Sequence, residues 1–142
     1  MIYTALTKKA LKLCFLAHKD QVDKTGLPYV FHPFHLAESM DDEISTVCAL
    51  LHDVIEDTDY TFEDLLCMGF PTEVIEVLRL LTHDDAEQYM DYVRRIAQNS
   101  TARKVKIADL KHNSDPTRLD EIDEWAQKRN EKYKEALRIL GE

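Results

Sequence analysis

Apolar residues recur at helical spacing along almost the whole chain. Residues 4–19 predict a first helix, with apolar positions returning every three to four residues. The next stretch, "DKTGLPYV", reads as a loop broken by Gly26 and Pro28. Pro33 opens a short helix that reaches about Met40, which leaves His32 just before it in extended backbone. Asp41 or Asp42 caps a third helix running to about Glu56. Thr61 with Asp64 resembles a capping box, and Gly69 ends the helix it starts. Further helices are predicted at 72–82, 86–98 and over "TARKVKIADLKHN", with Pro116 marking the next break. A charged helix over 119–140 has Ile122, Trp125, Ala126, Tyr133, Leu137 and Leu140 along its apolar stripe. No segment alternates as a strand would, and only three glycines and four prolines interrupt the periodic runs. The expected class is all-α, a single helical-bundle domain over residues 1–142.

Composition narrows the function classes. A chain of 142 residues with 44% hydrophobic and 32% charged residues suits one globular core, not disorder. A formal net charge of -9 disfavours a nucleic-acid partner, which selects for a basic face. No apolar run approaches the ~20 residues of a membrane span, and the first residues lack a signal-peptide pattern. Cys14, Cys48 and Cys67 sit singly among apolar helical neighbours, so they are expected to be reduced core thiols in a cytoplasmic protein. Oligomeric state has no signature in this pattern.

Candidate chemistry concentrates in "ALLHDVIEDT", residues 49–58. On a continuous helix with His52 at 0°, Glu56 falls at about 40°, Asp53 at about 100° and Asp57 at about 140°, while Leu50, Leu51, Val54 and Ile55 occupy the other side. Ala49, at about 60°, leaves room among the acids for an ion and its water. The face holds no lysine or arginine, unlike a solvated helix face with paired charges. An imidazole next to a carboxylate offers mixed nitrogen and oxygen donors to a cation. A second group, "GLPYVFHPFHLAE", places His32 at a stiff joint, with His35 one turn on. A third, "KVKIADLKHN", puts Asp109 and Asn113 on one helix face. Taken singly, each of these residue types is more often structural than a ligand.

Together, His32, His52-Asp53 and Asp109 resemble the H…HD…D signature of the HD-domain phosphohydrolases. The words "AHKDQVDKTGLPYVFHP", "ALLHDVIEDT" and "VKIADLKHN" resemble the hydrolase domain of RelA/SpoT-like proteins, from about Ala17 to Leu119. That resemblance implies an all-α domain, a divalent ion (Mn²⁺, with Fe²⁺ or Zn²⁺ as alternatives) and removal of the 3′-pyrophosphate of (p)ppGpp, a small-molecule nucleotide. It implies His32, His52, Asp53 and Asp109 as metal ligands and Glu56 with Asp57 as the groups that orient or deprotonate water. Lys24, Thr25 and Asn113 match positions that touch the nucleotide. Before this lysine the family carries an arginine that packs on guanine. Here the residue is Asp23, which cannot stack but can accept from a base amine. On that reading Asp23→Arg lowers KM for a guanine nucleotide. The alternatives are an HD phosphohydrolase of another nucleotide or phosphoester, and a non-catalytic nucleotide-binding regulator.

Overall fold

The core is built around one helix that is buried on nearly every side. In the computed structural model, which describes residues 1–141, this is α3 (Glu43–Leu51), where every residue from Ser45 to Leu51 is buried. Asp42 caps it, its carboxylate accepting from the Ser45 amide at 2.8 Å. Around it pack α1 (Ala5–His18), α2 (Phe31–Glu38), α6 (Thr72–Leu81) and α8 (Ser100–Asn113). Two short helices, α4 (Val54–Asp57) and α5 (Phe62–Cys67), precede α6, while α7 (Tyr89–Ile96) and α9 (Glu124–Ile139) close the far side. A 3₁₀ turn at Pro116–Arg118 links α8 to α9. Among the described residues there is no strand, only an isolated antiparallel bridge between Val22 and Pro28. Leu36, Leu50, Leu51, Leu65 and Leu110 are fully enclosed. Each contributes about 1.5–3 kcal/mol by leaving water.

Most predicted elements form where periodicity places them, and local caps explain their ends. Thr4 and Thr7 make a reciprocal box at the start of α1, and Thr61 with Asp64 does the same for α5. Asn99 accepts from the Ala102 amide at the start of α8.

Five expectations are corrected. The helix expected to run to Glu56 ends at Leu51. Asp53 takes φ -107° and ψ 2°, a bend between α3 and α4, so the wheel drawn through His52–Asp57 does not hold across it. His32 is not extended: α2 starts at Phe31, and the His32 amide donates to the Tyr29 carbonyl at 2.9 Å. Pro33 is tolerated because a first-turn amide has no intrahelical acceptor to lose. The last helix starts at Glu124 rather than 119, because Asp123 caps it through the Ala126 amide. Ile122 and Trp125 stay about half exposed instead of lining a core stripe. Cys14 and Cys48 are buried, and burial pushes the Cys14 thiol up to about 12, but Cys67 is exposed.

Candidate active site

Three elements deliver one buried group. His32 comes from the first turn of α2, His52 from the end of α3 and Asp109 from the middle of α8; a donor atom from each lies within 4.8 Å of the others. All three residues are buried. Asp109 Oδ1 is 2.9 Å from His32 Nε2 and 3.6 Å from His52 Nε2. Asp53 stands at the edge of this trio, its Oδ2 3.1 Å from His52 Nε2 and accepting from the Tyr29 hydroxyl. The bend at Asp53 turns its carboxylate toward Tyr29 in the 21–29 loop.

The hydrogen bonds define what this group lacks. His52 Nδ1 donates to the Ala49 carbonyl at 2.6 Å, so Nε2 carries the free lone pair in the neutral ring. That nitrogen is buried without a well-aligned partner, although two carboxylates surround it. A lone pair facing carboxylates calls for a positive charge between them. Burial opposes a proton on His52, but Asp53 and then Asp109 outweigh burial and raise its pKa well above 6.5. A metal ion meets the same demand with two imidazoles and one or two carboxylates, so the donor set fits a divalent cation.

Neighbouring groups hold the trio in place. Burial opposes ionisation of Asp109, yet Lys106, His32 and His52 keep its pKa well below the ordinary value. Lys106, half-buried, holds Asp109 Oδ2 at 2.9 Å, and Asn113 donates to Oδ1 at 2.9 Å. The expected absence of a basic partner thus applies to the helix face alone: α8 brings the cation across. His32 Nδ1 lies 2.7 Å from His112 Nδ1. His112 in turn stacks on His35, with ring centroids 4.0 Å apart. Burial, then Arg118, His32 and His35, press the His112 pKa down to about 3, so it stays neutral and can accept a hydrogen bond from His32 Nδ1–H.

Glu56 and Asp57 occupy opposite flanks. Glu56 shares a small hollow with His52, Asp53, Lys106 and Asp109, and accepts from the His83 amide. Asp57 accepts from Gln21 Nε2 at 3.2 Å, and His18 Nδ1 lies 2.8 Å from the Gln21 amide oxygen. Burial raises the pKa of both acids from the ordinary value, with Asp53 adding to the shift.

A pocket of about 250 Å³ adjoins the group, lined by Gln21, Lys24, Thr25, Tyr29, Asn113, Arg118 and Arg129 among others. The three residues expected to touch a nucleotide therefore meet at one hollow. Lys24 Nζ rests 3.9 Å over the Trp125 ring and 3.5 Å from Asp123. The Thr25 hydroxyl and amide both donate to Asp23 Oδ1 at 2.9 Å. That oxygen also accepts from the Leu27 amide, so Asp23 organises its own loop through Oδ1 and leaves Oδ2 facing Arg118.

Sequence reasoning missed Tyr29, Lys106, His112, Arg118 and Arg129. Lys106 had a readable signal, three residues before Asp109 on the same helix. Arg118 and Arg129 had none, because the turn after α8 brings them back to the loop.

Comparison with known proteins places these residues in context. No family model matches the chain. The zebrafish (Danio rerio) guanosine-3′,5′-bis(diphosphate) 3′-pyrophosphohydrolase MESH1 is 30% identical over 143 residues, covering 92% of this chain and 79% of that protein. A GTP pyrophosphokinase of Myxococcus xanthus is 33% identical over 142 residues; the match takes in 87% of this chain but only 18% of the longer protein. A solved structure described as a metazoan ortholog of SpoT that hydrolyzes ppGpp superposes with a TM-score of 0.77 at 26% identity, covering 99% of this chain and 88% of that one.

Proposed function

The chain belongs to the family of guanosine-3′,5′-bis(diphosphate) 3′-pyrophosphohydrolases that includes MESH1, and on that premise we propose that it is a metal-dependent hydrolase that removes the 3′-pyrophosphate of (p)ppGpp. The observation that carries this reading is the buried His32–His52–Asp109 group, with the unsatisfied His52 Nε2 facing carboxylates. We assign His32, His52, Asp53 and Asp109 as ligands, with Mn²⁺ the preferred ion and Fe²⁺ or Zn²⁺ as alternatives for a mixed nitrogen–oxygen set. When bound, a divalent ion supplies Lewis acidity, acidifying a nearby water and offsetting charge on the phosphoryl oxygens.

The chain's own residues do the rest. Lys106 and Asn113 keep Asp109 ionised and oriented, and Tyr29 fixes the Asp53 carboxylate. Glu56 and Asp57 orient or deprotonate the attacking water, one of them taking its proton and passing it to the leaving 3′-oxygen, and their raised pKa values suit that work. Gln21 aims Asp57. Water adds across the bond between the pyrophosphate and the ribose 3′-oxygen: its hydroxyl ends on phosphorus and its proton on the 3′-oxygen, giving pyrophosphate with GDP from ppGpp or GTP from pppGpp. Lys24, Thr25 and Asn113 hold the nucleotide in the adjoining pocket, where cations counter the charge of an otherwise acidic protein. The test is a panel of ppGpp and other nucleotides and phosphoesters assayed with Mn²⁺ and with EDTA. The expected result is Mn²⁺-dependent pyrophosphate release from ppGpp. Turnover of a different phosphoester with none of ppGpp overturns the substrate.

A further inference from the structure

Arg118 stands where two halves of the nucleotide pocket meet. One half is the 21–29 loop, which carries Asp23, Lys24 and Thr25; the other is the end of α8, which carries His112 and Asn113. From the 3₁₀ turn, Arg118 Nη1 donates to the His112 carbonyl at 3.0 Å and to Asn113 Oδ1 at 3.2 Å. Its Nη2 lies 3.8 Å from Asp23 Oδ2. The two oxygens of Asp23 divide the work: Oδ1 gathers the Thr25 amide, the Thr25 hydroxyl and the Leu27 amide, while Oδ2 faces Arg118. The Asp23 and Arg118 side chains are only 17% and 25% exposed, so the pair is less screened than a surface ion pair.

We propose that Arg118 is a positioning residue for the nucleotide, gripping Asp23 on the loop and Asn113 on α8 and so setting the spacing at which Lys24, Thr25 and Asn113 face one another. This rests on the reading of the pocket as the nucleotide's. A planar guanidinium suits the task because its donors point in several directions at once, which the single ammonium of lysine does not match. The latch reverses the expectation for Asp23→Arg. That change removes the acceptor of three loop hydrogen bonds and sets one guanidinium against another, so KM rises instead of falling.

Two measurements test the latch. In steady-state assays with ppGpp and Mn²⁺, Arg118→Ala raises KM about tenfold and leaves kcat within about twofold, the pattern of lost positioning in binding rather than in the chemical step. Arg118→Lys falls between. Asp23→Asn keeps the Oδ1 acceptor and weakens only the grip on Arg118, so the double variant Asp23→Asn/Arg118→Ala is no worse than Arg118→Ala. Without any ligand, the Thr25 and Leu27 amides exchange with deuterium faster in Arg118→Ala than in the wild type. A wild-type KM for Arg118→Ala, a loss confined to kcat, or effects that multiply in the double variant overturns the proposal. Should the wild type not hydrolyse ppGpp, the assigned activity fails separately, and unchanged amide exchange alone then overturns the latch.

Discussion

His32 has to settle which ring nitrogen carries its proton. Burial, the largest influence, lowers its pKa, so the ring is neutral. Without a cation it donates Nε2–H to Asp109 and accepts from His112; with an ion on Nε2 the proton belongs on Nδ1, and His112 becomes the acceptor. His112 serves both states because it does not ionise. Its pKa of about 3 in the fold, against 6.5 for an ordinary histidine, means the unfolded chain binds more protons between those values. Its contribution to stability is therefore full above 6.5 and is lost as pH falls toward 3. His112→Gln keeps an acceptor but removes the titration. The difference in melting temperature between wild type and variant should shift against the wild type from pH 7 to pH 4, and parallel profiles would refute this. At the ligands themselves, His52→Ala and Asp53→Ala should lose most bound metal by elemental analysis; near wild-type content in both would remove the assignment. Glu56→Gln and Asp57→Asn should keep metal and lower kcat by about 10²-fold, the scale of general acid–base catalysis. Because a base acts only when ionised, the wild-type rate falls as pH drops through their raised pKa values, in an acid limb above the ordinary carboxylate value of 4.5 for Glu56. Loss of that limb in the variants is the accompanying signature, and unchanged turnover in both would show the acids to be bystanders.

Helix α8 is the element that joins the site's parts. Lys106, Asp109 and Asn113 follow one another at intervals of three and four residues, so one helix face carries the cation, the carboxylate and the amide. Removing the cation leaves a buried carboxylate without its partner. In EDTA-treated protein, Lys106→Met should cost about 3–5 kcal/mol in chemical denaturation, as breaking a buried pair generally does. Saturating Mn²⁺ should recover a large part of it; an equal loss with and without metal would mean Lys106 does not act through Asp109. The helices were largely legible because apolar period and caps agree locally, as Asp42 and Asn99 show. The bend at His52–Asp53 was not, since no glycine or proline marks it. It is a tertiary feature, formed where the Tyr29 hydroxyl donates to the Asp53 carboxylate, with His52 Nδ1 donating locally to the Ala49 carbonyl. For the same reason Asp109 and Lys106 could be paired from spacing, whereas the Gln21–Asp57 contact joins segments 36 residues apart.

Across the whole molecule, a net charge of -9 opposes a polyanionic nucleotide, and the hollow between the 21–29 loop, α8 and α9 sets three cations beside Asp23 and Asp115. Lys24, Arg118 and Arg129 converge there from three parts of the chain, a convergence that composition alone does not reveal. Added salt screens this local attraction, so kcat/KM for ppGpp should fall between 50 and 300 mM salt, concentrations on either side of about one Debye length of 8–10 Å. A flat response would mean the pocket cations do not guide the substrate. No helix among the described residues is long and apolar enough to cross a membrane. The central claim is that the buried His–His–Asp group makes this chain a metal-dependent ppGpp hydrolase. It is tested most directly by ³¹P NMR of ppGpp incubated with Mn²⁺ and either the wild type or His52→Ala, each confirmed folded by circular dichroism. The account predicts that GDP and free pyrophosphate appear with the wild type, stop on adding EDTA and do not appear with the variant. Intact ppGpp with the wild type, or equal turnover by His52→Ala, would contradict it.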